Sequence, residues 1–349
     1  MSDMMEDWPA MKPGEQSWDI DNLEKRLRHT IMKVGEDDDG RRIRIKAKYF
    51  MDYLKNQHDD SPLYLFESNL DDNQHIVSLR DDFKIPDIFP SDFFHLAGNE
   101  NKPPYRWFCI GPKRSGTTVH KDPLATYAWN AVTSGKKRWL VAEPGIPRST
   151  MKGKSLVRKG EDDEAVHYFD FILPRIKAAN PTLKVWEGMQ GPGDVIFVPY
   201  DFWHAVVNLE DTVAITQNYC GYDNFDAVWC RTRKDRKRFA VRWLRAIKRH
   251  KPDLYQRALF LNDRDGYVML NERTGQQVQE SSADSSSSSS SEGSTSDEDD
   301  IDFSGVYLPE GCQIVAPWLK DGNNKKTGYA DKKYAFISVF IKILFLRIS

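Results

Sequence analysis

Two stretches of the chain pair a histidine with an acid at the spacing a metal site can use: His58-Asp59-Asp60 and His120-Lys121-Asp122. On a strand, residues i and i+2 share a face, so an H-x-D pair presents two ligands together. A second histidine from a neighbouring strand would complete a facial triad of two imidazoles and one carboxylate. Such a triad holds Fe(II) and leaves positions open for substrate and dioxygen. The spacing alone decides little. With 8 histidines and 52 acidic residues in 349, about one chance occurrence is expected. Context separates the two. His58 lies in the polar turn Asn56-Gln57-His58-Asp59-Asp60-Ser61-Pro62, whereas His120 closes a β-type run that Pro123 stops, and a rigid element holds geometry better than a loop.

The third ligand is sought in Gly193-Asp194-Val195-Ile196-Phe197-Val198-Pro199-Tyr200-Asp201-Phe202-Trp203-His204. This reads as a strand, a tight Pro-containing turn and a second strand beginning with His204, with His204, Val206 and Asn208 on one face. Each histidine taken alone has a plain alternative as a satisfied core or surface residue. The ordered combination of the two motifs inside a β-rich region favours the metal reading. An oxygenase of this kind also needs a cation and a hydroxyl for the far carboxylate of a 2-oxo acid, because charge-assisted hydrogen bonds hold carboxylates well. Lys137 shares a strand face with Trp139 and Val141 and is the candidate cation; the alternative is an edge lysine reaching to solvent. Thr216 and Asn218 share a face on the run Thr212 to Tyr219, with ordinary strand propensity and a turn approach as their alternatives.

These residues must be placed by the elements around them. From Pro104 to Gly221 the pattern is short strands punctuated by Gly, Pro or Asp: Tyr105–Ile110, Thr117–Asp122, Lys137–Val141, Asp194–Val198, His204–Asn208 and Thr212–Tyr219. That spacing predicts a closed or double-sheet β-architecture, of which the cupin jelly roll is one form. Upstream, residues 1–20 read as poorly ordered, Asn22–Val34 as a helix capped by Asp21, Glu36 to Gly40 as a turn, Arg42–Lys46 as a strand, Lys48–Lys55 as a short helix and Leu63–Phe66 as a β-type run. Downstream, Phe225–His250 is helical, with Val241, Leu244 and Ile247 recurring on a basic background. The expected divisions are 1–20, 21–103 packing on the core, the 104–222 β-core, the basic helical region 223–260, and a 261–349 tail. Ser285 to Ser291 is an unbroken serine run in an acidic stretch that cannot bury a core and is expected to be disordered.

The net charge of −2 conceals segregation. Arg231 to Lys251 carries a single acid, Asp235, while Glu280 to Asp302 carries only acidic charges; such blocks mark interaction segments. The basic block suits nuclear import or contact with RNA or another polyanion, against the alternative of a solvated helix face. Ser294 and Ser296 precede acids, as acid-directed kinases require. Cys109, Cys220, Cys230 and Cys312 form no C-x-x-C pair, which argues against a zinc ribbon and fits a reducing compartment. The N-terminus has no secretory pattern. The apolar end Ala335–Leu346 is shorter than the about 20 residues a spanning helix needs.

The strings Pro103-Pro104-Tyr105-Arg106-Trp107-Phe108, Arg114-Ser115-Gly116-Thr117, His120-Lys121-Asp122-Pro123-Leu124, Ala128-Trp129-Asn130-Ala131, Gly135-Lys136-Lys137-Arg138-Trp139, Phe197-Val198-Pro199 with Trp203-His204, and Ala214-Ile215-Thr216-Gln217-Asn218 resemble, in order, the jumonji-C lysyl hydroxylases and arginine demethylases. Asp60-Ser61-Pro62-Leu63-Tyr64 matches upstream, and the likeness runs from about Leu23 to Pro252. The resemblance implies a double-stranded β-helix with added helices. It implies Fe(II) on His120, Asp122 and His204, and 2-oxoglutarate contacts from Asn130, Lys137, Thr216, Thr117 and Tyr64. Trp107, Phe66 and Asn218 fall at the substrate pocket, and ascorbate is the expected activator. It further implies hydroxylation of lysine in Arg/Ser-rich splicing regulators, demethylation of histone arginines, dimerisation through the C-terminal helices and residence in the nucleus, with cytoplasm as a second place. Residue 121 departs from the family, which has an apolar residue there; pointing away from the metal face, Lys121 is expected to matter little. Two rival readings are an inactive cupin-type scaffold for nuclear partners, which a broken triad would favour, and a surface receptor for phosphatidylserine in engulfment, which would need a membrane span.

Overall fold

The computed structural model describes residues 4–269 apart from 37–40, 69, 72, 90, 91, 99–101 and 163. The serine run, the acidic stretch, the apolar end and the turn expected at 37–40 lie outside the described residues. Two antiparallel sheets face each other. The larger has the order β3 (Leu65–Glu67), β4 (Arg106–Gly111), β11 (Thr212–Tyr219), β6 (Tyr127–Ser134), β9 (Val195–Val198); the smaller has β5 (Gly116–His120), β10 (Trp203–Asn208), β7 (Lys137–Ala142), β8 (Val185–Gln190). This is the jelly-roll, double-stranded β-helix architecture, and strand alternation divides its residues between two environments. From the larger sheet Cys109, Val132, Ala214 and the partly buried Trp107 face inward, while Phe108, Ile110, Trp129, Ala131, Val213 and Ile215 face out into a second core.

That second core is covered by the N-terminal elements. α1 (Ile20–Leu27) starts at Asp19, whose carboxylate accepts from the Asn22 amide at 2.8 Å, and buries Leu23 and Leu27. α2 (Ala47–Asn56) buries Phe50, Met51 and Leu54. Between them β1 (Ile31–Glu36) and β2 (Arg42–Lys46) form a two-stranded sheet. Three expectations are corrected here. The helix expected over 22–34 ends at Leu27 and is capped by Asp19, not Asp21, because Met32 and Val34 alternate into the core at strand period. The segment 4–19 is packed, not loose: Trp8 and Trp18 are each 1% exposed. The Trp18 indole donates to buried Asp82 at 2.8 Å, and its ring meets Phe108 edge-on at 5.1 Å. A polar segment with two anchored tryptophans is held by partners far along the chain, which local composition does not contain.

The outer face of the smaller sheet is covered by α3 (Arg148–Lys152), α4 (Ala165–His167) and α5 (Leu173–Ala179), the last two joined by a π-turn at Tyr168–Ile172. The basic C-terminal region is three helices. The continuous helix expected over 225–250 breaks at Arg236, which takes φ −131° and ψ 58°, giving α6 (Phe225–Asp235) and α7 (Lys237–His250). α8 (Pro252–Arg264) extends the region past the expected boundary at 260. Trp229 and Trp243 are buried against Phe93, Phe94 and Phe225, so these helices bind the core through aromatic packing. Among the described residues no helix is long and apolar enough to cross a membrane.

Candidate metal centre and its anion pocket

β5 ends at His120, and Asp122 follows in extended conformation as the cap of a short turn, so the carboxylate lies just beyond the strand expected to carry it. β10 runs antiparallel to β5 with His204 directly opposite His120. The result is a cluster in which one ligand atom from each of His120, Asp122 and His204 lies within 4.8 Å of the others. The Asp122 Oδ1 is 3.9 Å from His120 Nε2 and 3.7 Å from His204 Nε2. Both rings are oriented from behind: the Nδ1 of His120 meets the Thr118 carbonyl at 2.8 Å and that of His204 the Phe202 carbonyl at 3.1 Å. A proton on each Nδ1 leaves each Nε2 lone pair aimed at the centre, the arrangement that orients metal-ligating imidazoles. Burial and the neighbouring His204 ring push the His120 imidazole down from its ordinary pKa, keeping it in the neutral form that ligation requires. The second oxygen of Asp122 is buried and without a hydrogen-bond partner, which a bound cation would satisfy. Nitrogen, nitrogen and carboxylate oxygen in this disposition fit Fe(II). The side chain of His204 is 6% exposed and that of His120 34%, so the open side of the cluster lies over His120.

The His204 ring is backed by Trp139, near-parallel at 26° with centroids 6.3 Å apart. Gln190, fully buried, accepts the Trp139 indole N–H at 2.8 Å and donates to the Asn130 carbonyl at 2.9 Å. His58, the competing H-x-D histidine, lies exposed in an irregular stretch after α2, and His58 is absent from the metal-capable group among the described residues.

Lys137 points into the barrel and is 1% exposed. Its ammonium donates to Asn208 Oδ1 at 2.8 Å, Tyr64 Oη at 3.3 Å and Thr212 Oγ1 at 3.4 Å. All three partners are neutral, and among the described residues no carboxylate lies within ion-pair distance of it. Burial lowers its pKa from 10.5 to about 8, and burial raises the Tyr64 phenol and pushes the Cys109 thiol up to about 12. A buried cation surrounded by neutral acceptors awaits an anion.

The remaining sequence candidates are distributed around this pocket. Thr216 and Asn130 are register partners on β11 and β6, and the Asn130 Oδ1 is buried without a partner. Thr216 itself donates to the Trp129 carbonyl at 2.8 Å, so its hydroxyl must turn to meet a ligand; the threonine that reaches Lys137 is Thr212. Thr117 pairs with Val206 across β5 and β10. Trp107 lies opposite Thr216 and stacks on Phe66 at 5.6 Å and 27°. Asn218 donates to Thr126 at 2.9 Å. Sequence reasoning gave no role to Asn208, Ser115, Thr212 or Gln190. The available signal was that Asn208 shares the His204 face of its strand.

Residues 107–219 match the family model described as JmjC domain, hydroxylase. The chain is 37% identical over 255 residues to the bifunctional arginine demethylase and lysyl-hydroxylase psr-1 of Caenorhabditis elegans, covering 72% of this chain and 63% of that one. It is 32% identical over 225 residues to the arginine-specific demethylase JMJ22 of Arabidopsis thaliana, with 63% and 41% covered. It is 29% identical over 194 residues to the 2-oxoglutarate and iron-dependent oxygenase JMJD4 of Gallus gallus, with 52% and 42% covered. The chain thus spans less than two thirds of the length of these relatives.

Proposed function

On the premise that the chain carries a JmjC hydroxylase domain at residues 107–219, we propose that it is an Fe(II)- and 2-oxoglutarate-dependent protein hydroxylase. Its substrates in this reading are lysines of Arg/Ser-rich splicing-related proteins, with demethylation of histone methylarginine as a second outcome at the same centre. The observation that carries the reading is the pairing, inside one barrel, of an open two-histidine, one-carboxylate cluster with a buried lysine that has no acidic partner among the described residues. His120, Asp122 and His204 would hold the iron. Bound there, iron supplies the activation of dioxygen that couples oxidative decarboxylation of 2-oxoglutarate, giving succinate and CO₂, to insertion of the other oxygen atom into a substrate C–H bond.

The protein's own residues position and shield. Thr118 and Phe202 carbonyls fix both imidazoles, Trp139 backs His204, and Lys137 with Tyr64 binds the far carboxylate of the co-substrate. Asn130, Thr216 and Thr117 line the same interior. The stacked Phe66 and Trp107 offer an aromatic face to a cationic side chain, which suits lysine or methylarginine. Arg238, Arg242, Arg245 and Arg249 lie along one exposed face of α7, and this supports contact with RNA or another polyanion, residence in the nucleus and, with the exposed Phe260 of α8, assembly as a homodimer.

The test is mass spectrometry of an Arg/Ser-rich, lysine-containing peptide incubated with the protein, Fe(II), ascorbate and 2-oxoglutarate. One added oxygen on lysine, absent with His120→Ala, is expected. Loss of a methyl group from a methylarginine peptide would transfer the main activity to demethylation. No change in either peptide and no succinate would reject the enzyme reading.

A further inference from the structure

Lysine in this pocket can only donate, and that single constraint sets the direction of a relay running behind it. The Asn208 group 2.8 Å from the ammonium must be its carbonyl oxygen. Its amide nitrogen is then turned to Ser115 Oγ at 2.9 Å, which must accept. The Ser115 hydroxyl proton therefore goes to the Pro112 carbonyl at 2.7 Å. A flipped Asn208 would set N–H against N–H at the lysine end. The backbone repeats the anchorage, since the Asn208 N–H donates to the Ser115 carbonyl at 2.8 Å and its carbonyl accepts from the Arg114 N–H at 2.7 Å. Lys137 and Asn208 are each 1% exposed and Ser115 2%, so no solvent competes. Gly111 forms the rear wall: a Cβ there would stand 2.3 Å from Asn208 Nδ2, 2.6 Å from Ser115 Oγ and 2.7 Å from Tyr64 Cδ2.

We propose that Asn208, locked by Ser115, is the positioning residue of the co-substrate site: it holds the Lys137 ammonium in place with a neutral acceptor, and so leaves the full charge for the carboxylate of an incoming dianion. The inference rests on the reading of Lys137 as the 2-oxoglutarate clamp. A carboxylate at position 208 would have nearly the same shape and would satisfy Lys137 internally, so neutrality at this position is what keeps the pocket selective for an anionic ligand. Asn208 also sits four residues beyond His204 on β10, so one strand carries a metal ligand and the holder of the clamp.

The test compares the full chain with Asn208→Asp and Ser115→Ala. Mn(II) binding is followed by electron paramagnetic resonance, and 2-oxoglutarate binding to the Mn(II) form by equilibrium dialysis. Asn208→Asp is expected to leave Mn(II) affinity within about twofold, since the two sites are well separated on the strand, and to weaken 2-oxoglutarate binding about tenfold or more. Ser115→Ala, which frees Asn208 without changing charge, is expected to weaken it about threefold. General loosening of the barrel would move both affinities; loss confined to 2-oxoglutarate is the signature of positioning. Unchanged 2-oxoglutarate affinity in Asn208→Asp overturns the proposal. Should that variant lack a cooperative melt, unchanged affinity in Ser115→Ala overturns it instead. Failure of the unaltered chain to bind 2-oxoglutarate while binding Mn(II) would overturn the functional reading on which the proposal rests.

Discussion

Replacing Lys137 by Met separates what the lysine does for the fold from what it does for the ligand. Burial takes its pKa from 10.5 to about 8; at about 1.4 kcal/mol per pH unit, keeping this group charged costs the ligand-free protein about 3 kcal/mol. Methionine has a similar length and removes that cost. Against this, Asn208 Oδ1 loses its donor in a buried place, a penalty of about 1–3 kcal/mol, while Thr212 still has the Gly111 carbonyl at 3.4 Å. The two effects nearly cancel, so ligand-free Lys137→Met should unfold in urea within about 2 kcal/mol of the unaltered chain. Its 2-oxoglutarate affinity should fall at least about thirtyfold, because a desolvated charge pair is worth about 2–5 kcal/mol when one partner is removed. Urea melts of the two ligand-free proteins and dialysis of the Mn(II) forms give both numbers. A loss of stability above about 3 kcal/mol, the scale of an emptied core position, would show that Lys137 is a structural residue and refute the reasoning. An affinity within fivefold of the original would do the same for the clamp.

Three further outcomes are expected. Between pH 8 and 10.5 the unfolded chain holds a proton on Lys137 that the folded one has released, so ligand-free stability should rise with pH across that window while 2-oxoglutarate affinity falls; parallel slopes in urea melts and dialysis would contradict this. Asp82→Ala strands the Trp18 indole and Arg26, which lies 2.7 Å from the carboxylate, and should cost about 3 kcal/mol or more, with earlier proteolysis of the N-terminal segment; an unshifted urea midpoint would count against that anchor. Lys121→Leu removes the contact with Asp201 at 3.1 Å, where the two side chains are 24% and 43% exposed; it should change stability by under about 1 kcal/mol and leave Mn(II) affinity within about threefold by electron paramagnetic resonance.

What was legible in the sequence was what local chemistry writes. Thr212–Tyr219 reads as a strand because its β-branched residues suit a pleated surface, and its bounds hold to the residue. His120, Asp122 and His204 were recoverable because turn residues frame both motifs. Lys137 was legible as inward from Trp139 and Val141 on its face. The strands Tyr127–Ser134 and Val185–Gln190 were not assigned, since neither run alternates cleanly: every residue from Tyr127 to Val132 is buried, one face in each of two cores. The order in residues 4–19 depends on Asp82 and Phe108, and the roles of Asn208, Ser115 and Gln190 depend on partners in other strands. No local window holds both members of such a pair.

The span of those pairs has a consequence for the chain as it is made. Lys121 and Asp201 are 80 positions apart, Lys137 and Asn208 71, and Ser115 and Asn208 93. At synthesis rates of about 5–20 residues per second, His120 leaves the ribosome several seconds before the strand that will pair with it exists. For that interval β5 is an edge without a neighbour, with one ligand at its end and a second, Asp122, just past it. The three-ligand centre cannot form before β10 is made, and a nascent chain in which His120 and Asp122 captured some other divalent ion would have to surrender it when β10 arrives. Loading of the complete centre therefore follows β10, and its occupancy reports that β5 and β10 have paired.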